Sequence, residues 1–91
     1  MLFLNYLMFV HIPANNLFIS EPDPYNFGNP KNADPKVNWL KSRFHFSFAE
    51  YSDAKNQNLG VLRVMNDDIV QPNRGFGEHP HSNMEIVSYI V

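Results

Sequence analysis

The feature that most constrains this chain is the alternation Phe44-His45-Phe46-Ser47-Phe48. Residues two apart on an extended strand face the same side, so this spacing places the phenylalanines on one face and His45 and Ser47 on the other. One face then calls for a core and the other for polar surroundings. Trp39 and these rings read as core rather than as a stack for a ligand, and His45 reads as a satisfied polar residue opposite them.

The segments on either side fit an all-β reading. Five of the seven prolines lie from Pro13 to Pro35, with Asn26, Gly28 and Asn29 among them. Proline fixes φ and removes a donor, so residues 20–36 read as a connector rather than as a helix or a central strand. After the phenylalanine strand, Tyr51 to Gly60 is polar and reads as a loop. Val61-Leu62-Arg63-Val64-Met65 reads as a second strand, ended by Asn66-Asp67-Asp68 through turn chemistry. Ile69 and Val70 start a short extended piece that Gln71-Pro72-Asn73 stops. Gly75 and Gly77 permit a sharp turn or bulge. From Met84 to Val91 the chain is apolar on both faces after Glu85 and reads as a buried strand. No turn residue follows Ile90, so the sequence is expected to be the front of something longer, since an unpaired apolar strand is an aggregation hazard.

Composition narrows the function classes. A chain of 91 residues holds at most one domain, with a thin core. Hydrophobic content of 44% and charged content of 18% suit a folded protein. The net charge is -2 with the signs mixed, which leaves no basic stripe for direct nucleic-acid binding. The absence of cysteine removes disulfides, thiolate metal sites and cysteine nucleophiles. Residues 1–20 carry no fixed side-chain charge, yet their apolar part is shorter than the roughly 20 residues a membrane helix needs. No Lys or Arg precedes Lys31, and Pro13-Ala14-Asn15 matches a signal cleavage site poorly. A short buried segment, or a start codon placed upstream of the real one, is the expectation here, with no membrane association.

The chemistry concentrates in His79-Pro80-His81. On a strand both imidazoles point to the same side and can converge on one cation. Asn83 and Glu85 continue that face if the strand stays regular. Two histidines plus a carboxylate, with open positions for oxygen or substrate, suit non-haem Fe(II); imidazole also serves Zn, Mn, Ni and Cu. Pro80 cannot donate to a ladder, which places the pair at an edge or bulge. A surface His-Pro-His loop without metal is the bland alternative. Arg43 and Arg63 are expected to pair with acids such as Glu50 or Asp67 rather than with substrate.

Three blocks carry a family resemblance. Val37-Asn38-Trp39-Leu40-Lys41-Ser42-Arg43-Phe44-His45-Phe46-Ser47-Phe48-Ala49 resembles the opening block of the pirin family. Leu62-Arg63-Val64-Met65-Asn66-Asp67-Asp68 resembles the strand-and-turn block that follows it. Gly75-Phe76-Gly77-Glu78-His79-Pro80-His81-Ser82-Asn83-Met84-Glu85-Ile86-Val87-Ser88-Tyr89 resembles the family's first metal-binding block. The resemblance covers residues 37–91 and leaves 1–36 as an unassigned N-terminal segment and proline-rich connector. It implies an incomplete cupin-type (jelly-roll) β-barrel, the first strands of the N-terminal barrel of a bicupin. It also implies that His79 and His81 are two of four Fe(II) ligands, the other His and a Glu coming from a later strand that this sequence lacks. Glu85 stands where many cupins place a carboxylate ligand, but in pirins that position is not counted among the ligands, so it is read as fixing a turn or supporting the ligands.

The resemblance implies a metal-binding fragment related to quercetin 2,3-dioxygenase-type cupins, inactive as this chain alone. In a full-length form the expectation is a flavonol 2,3-dioxygenase-like oxidoreductase acting on a flavonol-like small molecule. The alternative is a non-enzymatic, metal-bearing co-regulator that meets a transcription factor. Either suits a cytoplasmic or nuclear protein. Two imidazoles cannot complete a site that needs three or four protein ligands, so tight iron binding by these residues alone is not expected.

Overall fold

The computed structural model describes residues 10–26, 28–36 and 39–91. The apolar run over residues 1–9, and Val37 and Asn38 of the opening block, lie outside the described residues. A three-stranded antiparallel sheet organises the rest: β1 (Phe18–Ser20), β2 (Leu40–Phe44) and β3 (Asn66–Val70), in the spatial order β1-β2-β3. The sheet is open and not closed into a barrel. Two short 3-10 turns, Ala14–Asn16 and Pro30–Asn32, complete the regular structure. No helix among the described residues is long and apolar enough to cross a membrane.

The central strand shows the two-residue period expected of it. Leu40, Ser42 and Phe44 are buried while Lys41 and Arg43 are half-exposed. The register sets Phe18 against Phe44 and Ser20 against Ser42 on one side, and Phe44 against Asn66 and Ser42 against Asp68 on the other. The alternation of burial runs on past the strand to Phe46, but Phe48 is 42% exposed. Phe48 instead packs edge-on against Phe44, 5.1 Å between ring centroids. Phe18 stacks on both Phe44 and Tyr51, at 5.8 and 4.8 Å. Trp39, just before β2, is fully buried; it meets Phe76 edge-to-face at 5.4 Å and carries the Arg74 guanidinium over its ring at 5.4 Å. Such pairs add about 0.5–1.5 kcal/mol each beyond the area they bury.

The second long strand lies later than its sequence pattern predicts. Val61-Leu62-Arg63-Val64-Met65 does not form it. Leu59 and Leu62 exchange backbone hydrogen bonds at 2.9 and 3.0 Å, making a tight turn of Gly60 and Val61. Gly60 takes the left-handed φ of 59° there, and Val61 is 101% exposed. The strand is Asn66–Val70, so Asn66-Asp67-Asp68 is paired backbone and not a turn. The physical reason is what stands opposite. Ser42 donates from its Oγ to the Asp68 carboxylate, and Arg43 sits 3.8 Å from that of Asp67. These partners on β2 outweigh the weak strand preference of Asn and Asp, a preference set mostly by context. The ladder gains one bond at each end, His45 N–H to Met65 C=O (3.1 Å) and Gln71 N–H to Trp39 C=O (2.7 Å).

The polar stretch after Tyr51 is a knit loop. Ser47 is its hub: its Oγ accepts from the Asp53 amide at 2.8 Å, and its own amide donates to Asn56 C=O at 2.9 Å. Asn56 Nδ2 donates to His45 C=O at 2.8 Å. The last expectation fails in the described structure. Met84 to Val91 is neither a strand nor buried: Val87 is 94% and Tyr89 88% exposed. A strand is held by a neighbour's backbone, and β1–β3 pair only with one another.

Candidate metal centre

After β3 the chain turns at Gln71-Pro72-Asn73-Arg74, where the Arg74 amide returns to Gln71 C=O at 3.3 Å and Asn73 adopts φ 61°. Proline in this turn and a left-handed Asn are the residue types such geometry favours. Gly77 follows with φ 70°, a conformation that disfavours a side chain. This bend delivers His79 and His81 to the surface, where both are exposed.

The two rings lie 4.7 Å apart between centroids, inclined at 70°. His79 Nδ1 is 2.9 Å from Gly77 C=O. A carbonyl only accepts, so Nδ1 is the donor in this contact and Nε2 is the ring nitrogen left for a ligand. Metal-binding histidines are commonly fixed in this way, by a hydrogen bond from the ring nitrogen that does not bind. The pair lies on irregular backbone and not on the expected strand, but it brings two nitrogen donors of the type divalent cations take close together on one short bend. Among the described residues no three His, Cys, Asp or Glu side chains gather into a group that could hold a metal. Glu85 is exposed and does not join the histidines. After the pair, Arg63 reaches the Ser82 and Asn83 carbonyls at 3.5 and 3.4 Å, and among the described residues it forms no ion pair with an acid.

Two surface concavities lie elsewhere. One, of about 260 Å³, is lined mainly by apolar residues including Ile12, Phe46, Leu59, Leu62 and Met65; the other, of about 250 Å³, includes Phe48, Arg63 and Met84. Neither contains His79 or His81. The histidines are singled out by their chemistry and mutual geometry, not by enclosure.

The sequence reading missed what stands behind the histidine bend. Arg74 Nε donates to Gly28 C=O at 3.0 Å and its Nη2 to Asn26 C=O at 3.3 Å. Asn32 and Asn29 donate to Asn73 C=O at 2.7 and 3.4 Å. The proline-rich connector is thus docked on the turn that leads to His79. Arg74, between Asn73 and Gly75, carries no local mark of this role, because its partners stand 46 and 48 residues away.

Comparison with known proteins agrees with the three sequence blocks. The family model described as Pirin matches residues 28–91. A pirin-like protein of Caulobacter vibrioides is 60% identical over 52 residues, 57% of this chain and 22% of that protein. A Zymomonas mobilis protein that bears the name quercetin 2,3-dioxygenase provisionally is 58% identical over 52 residues, 57% of this chain and 22% of its own length. The quercetin 2,3-dioxygenase of Escherichia coli is 47% identical over 53 residues, 58% of this chain and 23% of its own. The chain therefore spans little more than a fifth of these relatives. No solved structure matches it significantly.

Proposed function

The chain belongs to the pirin family, and from that premise we propose that it supplies His79 and His81 as two imidazole ligands of an Fe(II) centre in a quercetin 2,3-dioxygenase-like oxidoreductase. The observation that carries the reading is the pairing of the two rings at 4.7 Å with His79 Nδ1 tied to a carbonyl, inside the family-matched residues. Several relatives bear the dioxygenase name, which favours oxidation of a flavonol as the reaction of the longer protein. Iron, when bound, supplies the redox centre that O₂ chemistry on such a substrate requires.

The residues of this chain contribute binding and orientation. His79 and His81 donate lone pairs from a short bend, and the Gly77 carbonyl keeps the Nδ1 proton of His79 away from the ligand position. The remaining ligands must come from residues outside the described set, because a stable site needs three or four protein donors. Catalysis by the 91 residues alone is accordingly not expected.

Two measurements test this. Calorimetric titration of the 91-residue chain with Fe(II) should show binding weaker than about micromolar, since half a ligand set forfeits much of the affinity; a tight one-to-one complex would overturn the half-site. In a form extended to the length of the relatives, His79→Ala should abolish iron loading measured by elemental analysis. Unchanged iron content would remove His79 from the ligand set.

A further inference from the structure

We propose that the proline-rich connector sets the tautomer and aim of the His79 ring, with Arg74 and Gly28 as positioning residues. The inference deepens the reading of His79 as a metal ligand, but its first readout needs no metal.

A chain of contacts runs along the backbone from the connector to the ring. At Asn73 the carbonyl accepts from the Asn32 and Asn29 side chains. One residue on, Arg74 is fixed on two sides. Its guanidinium lies over the fully buried Trp39, and it donates to the Gly28 and Asn26 carbonyls. At Gly75 the two segments touch so closely that a Cβ on Gly28 would fall 2.0 Å from the Gly75 carbonyl oxygen. A Cβ on Gly77 would lie 3.6 Å from the Gly28 nitrogen, so the residue whose carbonyl holds His79 stands beside the connector. Gly77 C=O then accepts from His79 Nδ1 at 2.9 Å. Asn73, Arg74 and Gly75 thus meet the connector and Gly77 stands beside it, while Phe76 packs on Trp39.

An unbraced bend of glycines would let the Gly77 carbonyl rotate away. The His79 ring would then lose its hydrogen bond to that carbonyl. Its proton would redistribute between the two nitrogens, and Nε2 would cease to be the nitrogen reserved for a ligand. Arg74 suits the role because its planar fork reaches two carbonyls at once while stacking on an indole, which lysine cannot reproduce.

The experiment uses the ¹⁵N-labelled 91-residue chain and long-range ¹H–¹⁵N spectra of the histidine rings, at a pH where the imidazoles are neutral. The Nδ1–H tautomer of His79 should dominate in the unaltered chain. In Arg74→Ala the ratio of Nδ1–H to Nε2–H should fall by about fivefold to tenfold, the worth of one hydrogen bond. His81, which lies beyond the braced carbonyl, should not change. Arg74→Lys should restore only part of the ratio. Gly28→Ala should act in the same direction as Arg74→Ala. Should either variant lose the β2 amide signals, Asn32→Ala removes one brace contact with the sheet intact and decides the matter by the same ratio.

A predominance of Nε2–H in the unaltered chain, or an unchanged ratio in variants that keep the sheet, would overturn the proposal. A parallel Zn(II) titration, carried out on the unaltered and variant sequences in a form extended to the length of the relatives and followed at the His79 ring, separates the two readings. A tautomer shift in the variants with no Zn(II) response in any chain supports the brace and removes the ligand assignment. Zn(II) binding at His79 with unchanged tautomers in the variants does the reverse.

Discussion

Two regions of this chain invite burial by their sequence and are opposite in structure. Trp39 to Phe46 lies in the sheet and buries Trp39, Leu40, Phe44 and Phe46. Ile86 to Val91 is more apolar still, with five Ile, Val and Tyr residues in six, yet those side chains stand exposed. The difference is pairing. β2 has a strand on each side, which satisfies its backbone and stacks Phe18 on Phe44. The terminal stretch has no such neighbour among the described residues. Apolar composition supplies the drive to bury; a backbone partner decides where it is satisfied.

That contrast can be broken most forcefully at Trp39. Trp39→Ala should cost about 3–5 kcal/mol, enough to unfold so small a sheet, with loss of the β-sheet circular dichroism signal. Retention of the signal would show that the core lies elsewhere. A smaller effect is expected where the sheet is polar inside. Ser42 is 1% exposed and donates to Asp68; Ser42→Ala should cost about 1–3 kcal/mol in urea denaturation, because the Asp68 carboxylate loses a partner. A cost equal to that of Ser42→Ala in an Asp68→Ala background would deny the coupling.

Ala49 sharpens the comparison in the stabilising direction. It turns the chain between Phe48 and Tyr51 with φ 47°, a left-handed value that favours glycine. Ala49→Gly should raise stability by up to about 1 kcal/mol, the relief of strain being offset in part by a more flexible unfolded chain. A lowered midpoint would mean the turn is not strained. At the small end, Val87→Ser or Ile90→Ser should change stability by less than about 0.5 kcal/mol, as an exposed site implies. Amide hydrogen exchange gives the same contrast in one measurement: protection over Leu40–Phe44 and none over Val87 to Val91. Protection at the terminus would reveal a pairing partner for it.

The candidate site divides in a similar way. His79 and His81 were legible because two like donors at a spacing of two are a local pattern. The glycines at 75 and 77 were legible as a bend for the same reason. The tie from His79 to Gly77 C=O was not, since it depends on the φ of Gly77, and the brace from Arg74 to Gly28 and Asn26 joins segments far apart in sequence. The polar loop after Tyr51 was recognisable as a loop, but not Ser47 as its hub.

What the amino-acid sequence determined alone is periodic or local: an all-β architecture, the buried Trp39, Phe44 and Phe46, the proximity of two imidazoles, and the family. Tertiary structure decided the rest. It made Asn66–Val70 the strand in place of Val61 to Met65, because Ser42 and Arg43 stand ready opposite Asp68 and Asp67. It left Met84 to Val91 without a neighbouring strand among the described residues, and it folded the proline-rich connector onto the histidine bend. Side-chain period is a property of one segment, whereas pairing and docking are properties of two, and only coordinates say which two meet.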